Sequence, residues 1–477
     1  MPTAAADVAS GARLAGYEAC YPCRGMKSPS QLLLAENELG LVTDLYQLTM
    51  FAAYRKHRRN VRGCFELWFR DLPPERNFLL AAGLEPALAY LLQLRFEPEQ
   101  VAQLRRMEVF ADLDDGFFSA LSQLRFSGDV WGVREGTAVF AGEPVLRVEA
   151  PIEQAQLVET YLLAAVSFST LVASKAVRSR IAAGSRRVVD FGSRRAHGPQ
   201  AACWAARSAY LAGFDATSNV WATCRLGVPP SGTMAHSFVL SFASEDEAFR
   251  AYADTFPKRT VLLVDTFDTV AAVQRAASDR ALQFIGIRLD SGNIVELATR
   301  CRVILDAAGR SDVRIVASGD LDEHRIGEIV AAGAPVDSFG VGTRMVTSAD
   351  APALQAVYKL VAVAEAGAGV RGVAKRSAGK RTLPGAKQVW RKRGSDGLFV
   401  EDLVTTADGA PEQGAWEPLL EPWIVAGRQR QEVPSLEESR AYAQQQLESL
   451  PPTLRALTPT PRFPVRVAPN LLGEVEA

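Results

Sequence analysis

Hydrophobic and polar positions first settle into a rhythm at Leu41. Leu45, Leu48 and Ala52 recur at helical spacing behind Thr43, which predicts a capped helix with Tyr46 off its apolar face. From Val61 to Phe69 the pattern alternates, Phe65 and Leu67 flanking Glu66, and predicts a strand. Helical spacing returns over 79–94, 97–107 and 116–124, and 126–148 reads as strands with turns at Gly128, Gly136 and Gly142. Pro151 opens a long helical stretch to Ala183. Residues 39–150 are therefore expected to form an α+β N-terminal domain. Residues 1–38 lack a period and read as a poorly ordered tail.

From Arg187 the pattern becomes short apolar runs alternating with helices. Seven strands are predicted, at 188–191, 215–220, 237–242, 261–265, 284–289, 313–317 and 336–339. Ser244 to Glu247 is a capping box, and Gly309 and Gly333 stop helices. Seven such units without a dinucleotide fingerprint favour an irregular β/α barrel over 151–350, not a doubly wound sheet. Leu354 to Val363 alternates again and is expected to return to the first domain, so 351–477 is a C-terminal segment. Residues 364–381 form a basic loop, Ser435 and Glu438 cap a helix over 436–450, and a Pro-rich tail from Pro451 wraps the surface.

Composition narrows the function. A chain of 477 residues with 48% hydrophobic and 22% charged residues allows two or three globular domains. A net charge of -1 gives no global case for nucleic acid or an acidic membrane, so an anionic ligand must be met by a local site. Tyr161 to Ala173, broken by Ser167, Ser169 and Thr170, is too short to span a bilayer, and no secretory h-region is seen. A cytoplasmic protein is expected. Cys64, Cys203, Cys224 and Cys301 read as small core residues of a reduced protein. Cys20 and Cys23 lack a second pair at zinc spacing and read as part of the tail.

Polar residues gather where barrel chemistry sits, at the C-terminal ends of the predicted strands. These are Phe191-Gly192-Ser193-Arg194-Arg195, Thr217-Ser218-Asn219, Asp265-Thr266, Arg288-Leu289-Asp290, Ser318-Gly319-Asp320 and Gly340-Val341-Gly342-Thr343. Either glycine loop alone is an ordinary turn. Two in succession after the last strands suit backbone N–H groups around a phosphate. Arg194, Arg195 and Arg288 add charge for phosphate or carboxylate. Asp265 and Asp290 suit Mg²⁺ or ribose hydroxyls, or are buried hydrogen-bonded carboxylates. After the turn Val228 to Gly232, His236 stands beside Thr233 and Ser237 as a candidate nucleophile or proton carrier. Alone, such a His is usually a satisfied polar residue. The residues by themselves reach a β/α barrel enzyme for a phosphorylated, anionic substrate.

Ten motifs in order then resemble the nicotinate phosphoribosyltransferase family: LVTDLYQLTM (41–50), FGSRRAHGP (191–199), GFDATSNV (213–220), GTMAHSF (232–238), VDTFDT (264–269), GIRLDSG (286–292), ASGDLDE (317–323), FGVGTRM (339–345), YKLV (358–361) and TLPG (382–385). The resemblance implies a type II phosphoribosyltransferase-like barrel. It implies transfer of phosphoribose from phosphoribosyl pyrophosphate to nicotinate in NAD biosynthesis, with Mg²⁺, coupled to ATP hydrolysis through a phosphohistidine at His236. It further implies that Phe191 and Tyr46 stack on the pyridine ring, with Tyr46 supplied by the partner subunit of a homodimer. Arg288 would meet the carboxylate, Thr233 would line that pocket, and Asp290 would belong to the catalytic set. Ser318, Gly319, Gly340 and Gly342 would hold the 5′-phosphate, while Arg194 and Thr382 would reach phosphoribosyl pyrophosphate. The sister enzyme for nicotinamide carries Asp where Ser218 stands, so Ser218 favours the acid. His197, where related sequences often have Gln, departs from the pattern. The alternatives are a nicotinamide or quinolinate phosphoribosyltransferase, or a catalytically silent ligand-binding relative.

Overall fold

The computed structural model describes residues 34–375, 382–411 and 413–476. Cys20 and Cys23 lie outside the described residues. Residues 36–38 of the expected tail are part of a short 3₁₀ helix, Glu36–Leu41.

The first body of the fold is a seven-stranded sheet with Val61–Phe69 as an interior strand, third in its spatial order. It pairs antiparallel with Pro144–Pro151 on one side and Ala356–Glu365 on the other. The chain therefore comes back after the barrel to complete the sheet it started, and Glu421–Val425 joins farther out beside Asp129–Gly132. Both faces of this interior strand are covered. Its Glu66 is fully buried and meets the Lys387 ammonium at 2.9 Å. Leu79 and Leu80, expected to be helical, form a short strand with Ala138–Val139. The helix begins only at Leu84, because Gly83 at φ 93 turns the chain against the helix Glu159–Ala183, where a Cβ would lie 2.6 Å from the Ala165 carbonyl.

The stretch expected as one helix from Pro151 is two, Ile152–Leu157 and Glu159–Ala183. The second has 25 residues, longer than its apolar stretch implied, and by length and composition alone it could cross a membrane. Here it is the core of the fold. Leu162 and Ala165 pack in the N-terminal core and Val172, Ala176 and Val177 in the barrel core, so one rigid helix joins the two. Its Lys175 and Arg178 both reach the fully buried Glu323, at 2.7 Å each, and Lys175 also reaches Asp350 at 2.9 Å.

The second body contains six parallel barrel strands: Arg187–Asp190, Ala216–Thr217, Val261–Leu263, Gly286–Leu289, Arg314–Ala317 and Ser338–Val341. In space their order is second, first, sixth, fifth, fourth, third. The second and third are edges, so the sheet is a curled half-barrel open between them. The strand expected at 237–242 is absent; His236–Leu240 is a single helical turn in that gap. A short apolar run does not distinguish the two states. The helical contact shows in Phe238 and Phe242, four apart, whose ring centroids lie 4.9 Å from each other. The strand expected at 215–220 is likewise only two residues long, because Asn219 caps a helix, Val220–Leu226. The C-terminal segment ends with a strand, Val465–Val467, and a helix, Pro469–Glu476, in addition to extended stretches.

Candidate active site

The site grows from Asp190, buried at the end of the first barrel strand. Its carboxylate accepts from the Gly192 amide at 2.7 Å and from the Thr217 hydroxyl at 2.7 Å. Burial pushes the Asp190 carboxyl up, and these two bonds offset part of the rise. The same residue's carbonyl takes the Ser218 amide at 2.9 Å. Asp190 thereby sets the turns that present Phe191 and Ser218. Phe191 lies across the sixth strand at Gly340, where a Cβ would come within 2.4 Å of its ring. Glycine there is what lets the ring lie flat on the strand.

Arg288 enters from the fourth strand. Its guanidinium donates to Ser318 Oγ at 2.7 Å, Thr233 Oγ1 at 3.0 Å and Asp290 Oδ1 at 2.6 Å. It stands 5.4 Å from the Phe191 ring centroid. Burial alone would raise the Asp290 carboxyl, but the Ser318 hydroxyl and the Arg288 guanidinium hold it below the usual range.

His236, at the start of the gap-filling turn, has Nδ1 3.1 Å from Thr266 Oγ1. Its Nε2 faces two carboxylate oxygens, Asp290 Oδ2 at 3.9 Å and Asp265 Oδ1 at 4.0 Å. Asp265 Oδ2 is engaged by the Asp290 amide and the Ser291 hydroxyl, whereas its buried Oδ1 has no hydrogen-bond partner. An orphaned carboxylate oxygen beside a second carboxylate is a hard-donor pair that fits Mg²⁺.

Phe191, Arg194, Ser218, Thr233, His236, Arg288 and Asp290 line one cavity of about 420 Å³ at the C-terminal end of the half-barrel. Ser318 and Gly340 support it from behind Arg288 and Phe191. Gly319, at φ 87, packs so tightly that a Cβ would sit 1.9 Å from the Asp290 carbonyl. Gly342 opens the short turn Thr343–Val346 beside Phe191. Two expected residues are not brought to the cavity. Tyr46 is exposed on the helix Leu45–His57, with its hydroxyl 3.4 Å from Glu159. Thr382 is buried, and its hydroxyl accepts from the Lys375 amide at 2.9 Å. Reading the sequence missed Asp190, whose one signal was a carboxylate inside the apolar run Val188-Val189-Asp190-Phe191. It also gave Thr266 no role.

Three comparisons bear on this geometry. Family models for the nicotinate phosphoribosyltransferase N-terminal domain, family and C-terminal domain match residues 41–167, 186–390 and 412–473. A nicotinate phosphoribosyltransferase of Mycobacterium tuberculosis is 44% identical over 442 residues, covering 91% of this chain and 93% of the relative. One of Bacillus subtilis is 43% identical over 365 residues, covering 75% and 74%. The crystal structure of human nicotinic acid phosphoribosyltransferase superposes with a TM-score of 0.79 at 31% identity, covering 91% of this chain and 99% of that one. With family models spanning most of its length and relatives this similar, the chain belongs to the nicotinate phosphoribosyltransferase family.

Proposed function

We propose that this enzyme transfers the phosphoribosyl group of phosphoribosyl pyrophosphate to the ring nitrogen of nicotinate. The products are nicotinate mononucleotide and pyrophosphate, for NAD biosynthesis. The observation that carries the reading is Arg288, pre-held by Ser318, Thr233 and Asp290 within 5.4 Å of the Phe191 ring. A flat ring stacked on Phe191 puts its carboxylate within reach of that fork. Ser218 lines the same cavity without charge, so no carboxylate there repels the acid. The ring nitrogen has a free lone pair. It attacks ribose C1, the C1–oxygen bond to pyrophosphate breaks, and no proton moves. The work of the protein is orientation and charge stabilisation. Arg194 lies on the cavity wall for the pyrophosphate, and the Ser318-Gly319 and Gly340–Gly342 loops flank the pocket for the 5′-phosphate. Asp265 and Asp290 would hold Mg²⁺, which when bound neutralises charge on the leaving pyrophosphate.

ATP coupling runs through His236. His236 Nε2 attacks the γ-phosphorus with its lone pair, the phosphorus–oxygen bond to ADP breaks, and the proton on Nδ1 stays against the Thr266 hydroxyl. Its support is the pair of free oxygens opposite Nε2 and the Thr266 hydroxyl on Nδ1. A homodimer with the partner subunit's Tyr46 at the ring is supported by two exposed apolar patches. One is Leu45, Tyr46 and Met50; the other is Val220, Trp221, Leu240 and Phe267 around the open side of the half-barrel. The free Cys64, Cys203, Cys224 and Cys301 suit the cytoplasm.

The test is incubation with γ-labelled ATP and, separately, product formation with and without ATP. Wild type should carry acid-labile label and make more nicotinate mononucleotide with ATP. His236→Ala should lose both. Unlabelled wild type, or a variant stimulated like wild type, refutes the coupling.

A further inference from the structure

The ring pocket has no floor. A second cavity of about 1010 Å³ shares Phe191, Ser218, Gly232 and Thr233 with it and runs to the N-terminal ends of the barrel strands. Closed β/α barrels fill this space with layers of branched side chains. Here the inward positions include Gly286, Ser338 and Gly340, and the sheet is open on one side. The result is a channel through the half-barrel. Its length follows from the first strand: Phe191 is four residue steps beyond Arg187, roughly 13 Å at about 3.3 Å per residue.

The far mouth has its own chemistry. Arg187, Arg259 and Arg314 stand around it, each exposed, and among the described residues none of the three guanidiniums has a carboxylate or hydrogen-bonding partner. The one acid in the lining, Asp337, already accepts from the Ile315 amide at 2.7 Å. Inside the mouth the walls are Val189, Val261, Ile285 and Val316. Unpaired guanidiniums over an apolar slot match a ligand with a charged end and a flat, apolar body.

We propose that the far mouth is a second ligand site, for an aromatic anion. Its charged group rests on Arg187, Arg259 and Arg314, and its ring lies between Val189, Val261 and Val316. A ligand seated there extends toward the wall formed by Ser218 and Thr233 and so competes with the ring held against Phe191. That competition rests on the proposed use of nicotinate; the site itself does not.

The probe is 8-anilinonaphthalene-1-sulfonate, an aromatic sulfonate that fluoresces in apolar surroundings. Full-length wild type should bind it saturably. R187S/R259S/R314S should bind about tenfold more weakly, as loss of three exposed charge contacts implies. R300S/R325S, which removes arginines from outer helices, should match wild type, and so should the circular dichroism of all three proteins. If the triple variant fails to fold, R314S alone should weaken the dye about twofold. Equal dye affinity in wild type and the arginine variants overturns the site. In turnover, the dye should raise the KM for nicotinate in wild type and not in the triple variant. Dye bound at the arginines with an unchanged KM overturns the competition. The dye titration needs no turnover, so it reports on the site even from a protein that makes no nicotinate mononucleotide.

Discussion

Arg288→Lys keeps the positive charge at the ring pocket and removes the planar fork. Arg288 spends three donors at once, on Ser318 at 2.7 Å, Thr233 at 3.0 Å and Asp290 at 2.6 Å. Its side chain is 13% exposed, so water replaces little of what is lost. An ammonium on a shorter stem keeps the Asp290 contact and gives up the two hydroxyls. At about 1 kcal/mol each, that is about 2 kcal/mol of positioning, or roughly 30-fold in KM for nicotinate. Arg288→Met goes further and strands the Asp290 carboxylate, a loss of about 3–5 kcal/mol for an uncompensated, largely buried charge. The assay is initial rate against nicotinate at saturating phosphoribosyl pyrophosphate, then the reverse. The lysine variant should show the rise in KM for nicotinate with less than about a threefold change for phosphoribosyl pyrophosphate. The methionine variant should lose more than about 100-fold in kcat/KM for nicotinate. A folded Arg288→Met with wild-type KM for nicotinate would refute the reasoning.

Other perturbations follow from the same contacts. Gly340→Ala places a Cβ 2.4 Å from the Phe191 ring, so it should raise KM for nicotinate about tenfold and lower Tm, measured by kinetics and calorimetry. Thr266→Val removes the neighbour of His236 Nδ1 and should slow labelling from ATP about tenfold, followed by quench-flow. Glu323→Gln leaves Lys175 and Arg178 buried against a neutral group and should cost about 3 kcal/mol in denaturant unfolding. For Asp350, burial would raise the carboxyl, but Arg76 and Lys175 outweigh it and hold it at about 2. The folded value lies below the unfolded one, so this stabilisation is complete above roughly pH 4 and is lost as pH falls toward 2. Asp350→Asn should flatten that acid limb of Tm against pH.

The sequence was most legible where period and chemistry agreed. Val61 to Phe69 was readable as a strand, and the return of alternation at Leu354 placed that segment back in the first domain, where it pairs with Val61–Phe69. The polar strand ends could be read because barrel geometry gathers them, and Phe191, Arg194, Ser218, Thr233, His236, Arg288 and Asp290 do meet in one cavity. The gap in the barrel was not legible. Ser237 to Phe242 is short and apolar, and only the contact of Phe238 with Phe242, four positions on, favours a helical turn over a strand. Asp190 was missed because a buried organiser looks, in one sequence, like any polar residue in a strand. The channel behind the ring pocket was equally hidden, since it depends on which strand positions face inward and on an open edge.

The most direct test of the account offers the purified protein phosphoribosyl pyrophosphate, Mg²⁺ and ATP with either nicotinate or nicotinamide, and quantifies the mononucleotide. The account predicts product from nicotinate and little from nicotinamide, because Arg288 needs a carboxylate and Ser218 offers no acceptor charge to an amide. Equal product from nicotinamide would contradict the assignment of Arg288 and Ser218 as the selectivity pair, and no product from either would contradict the proposed reaction.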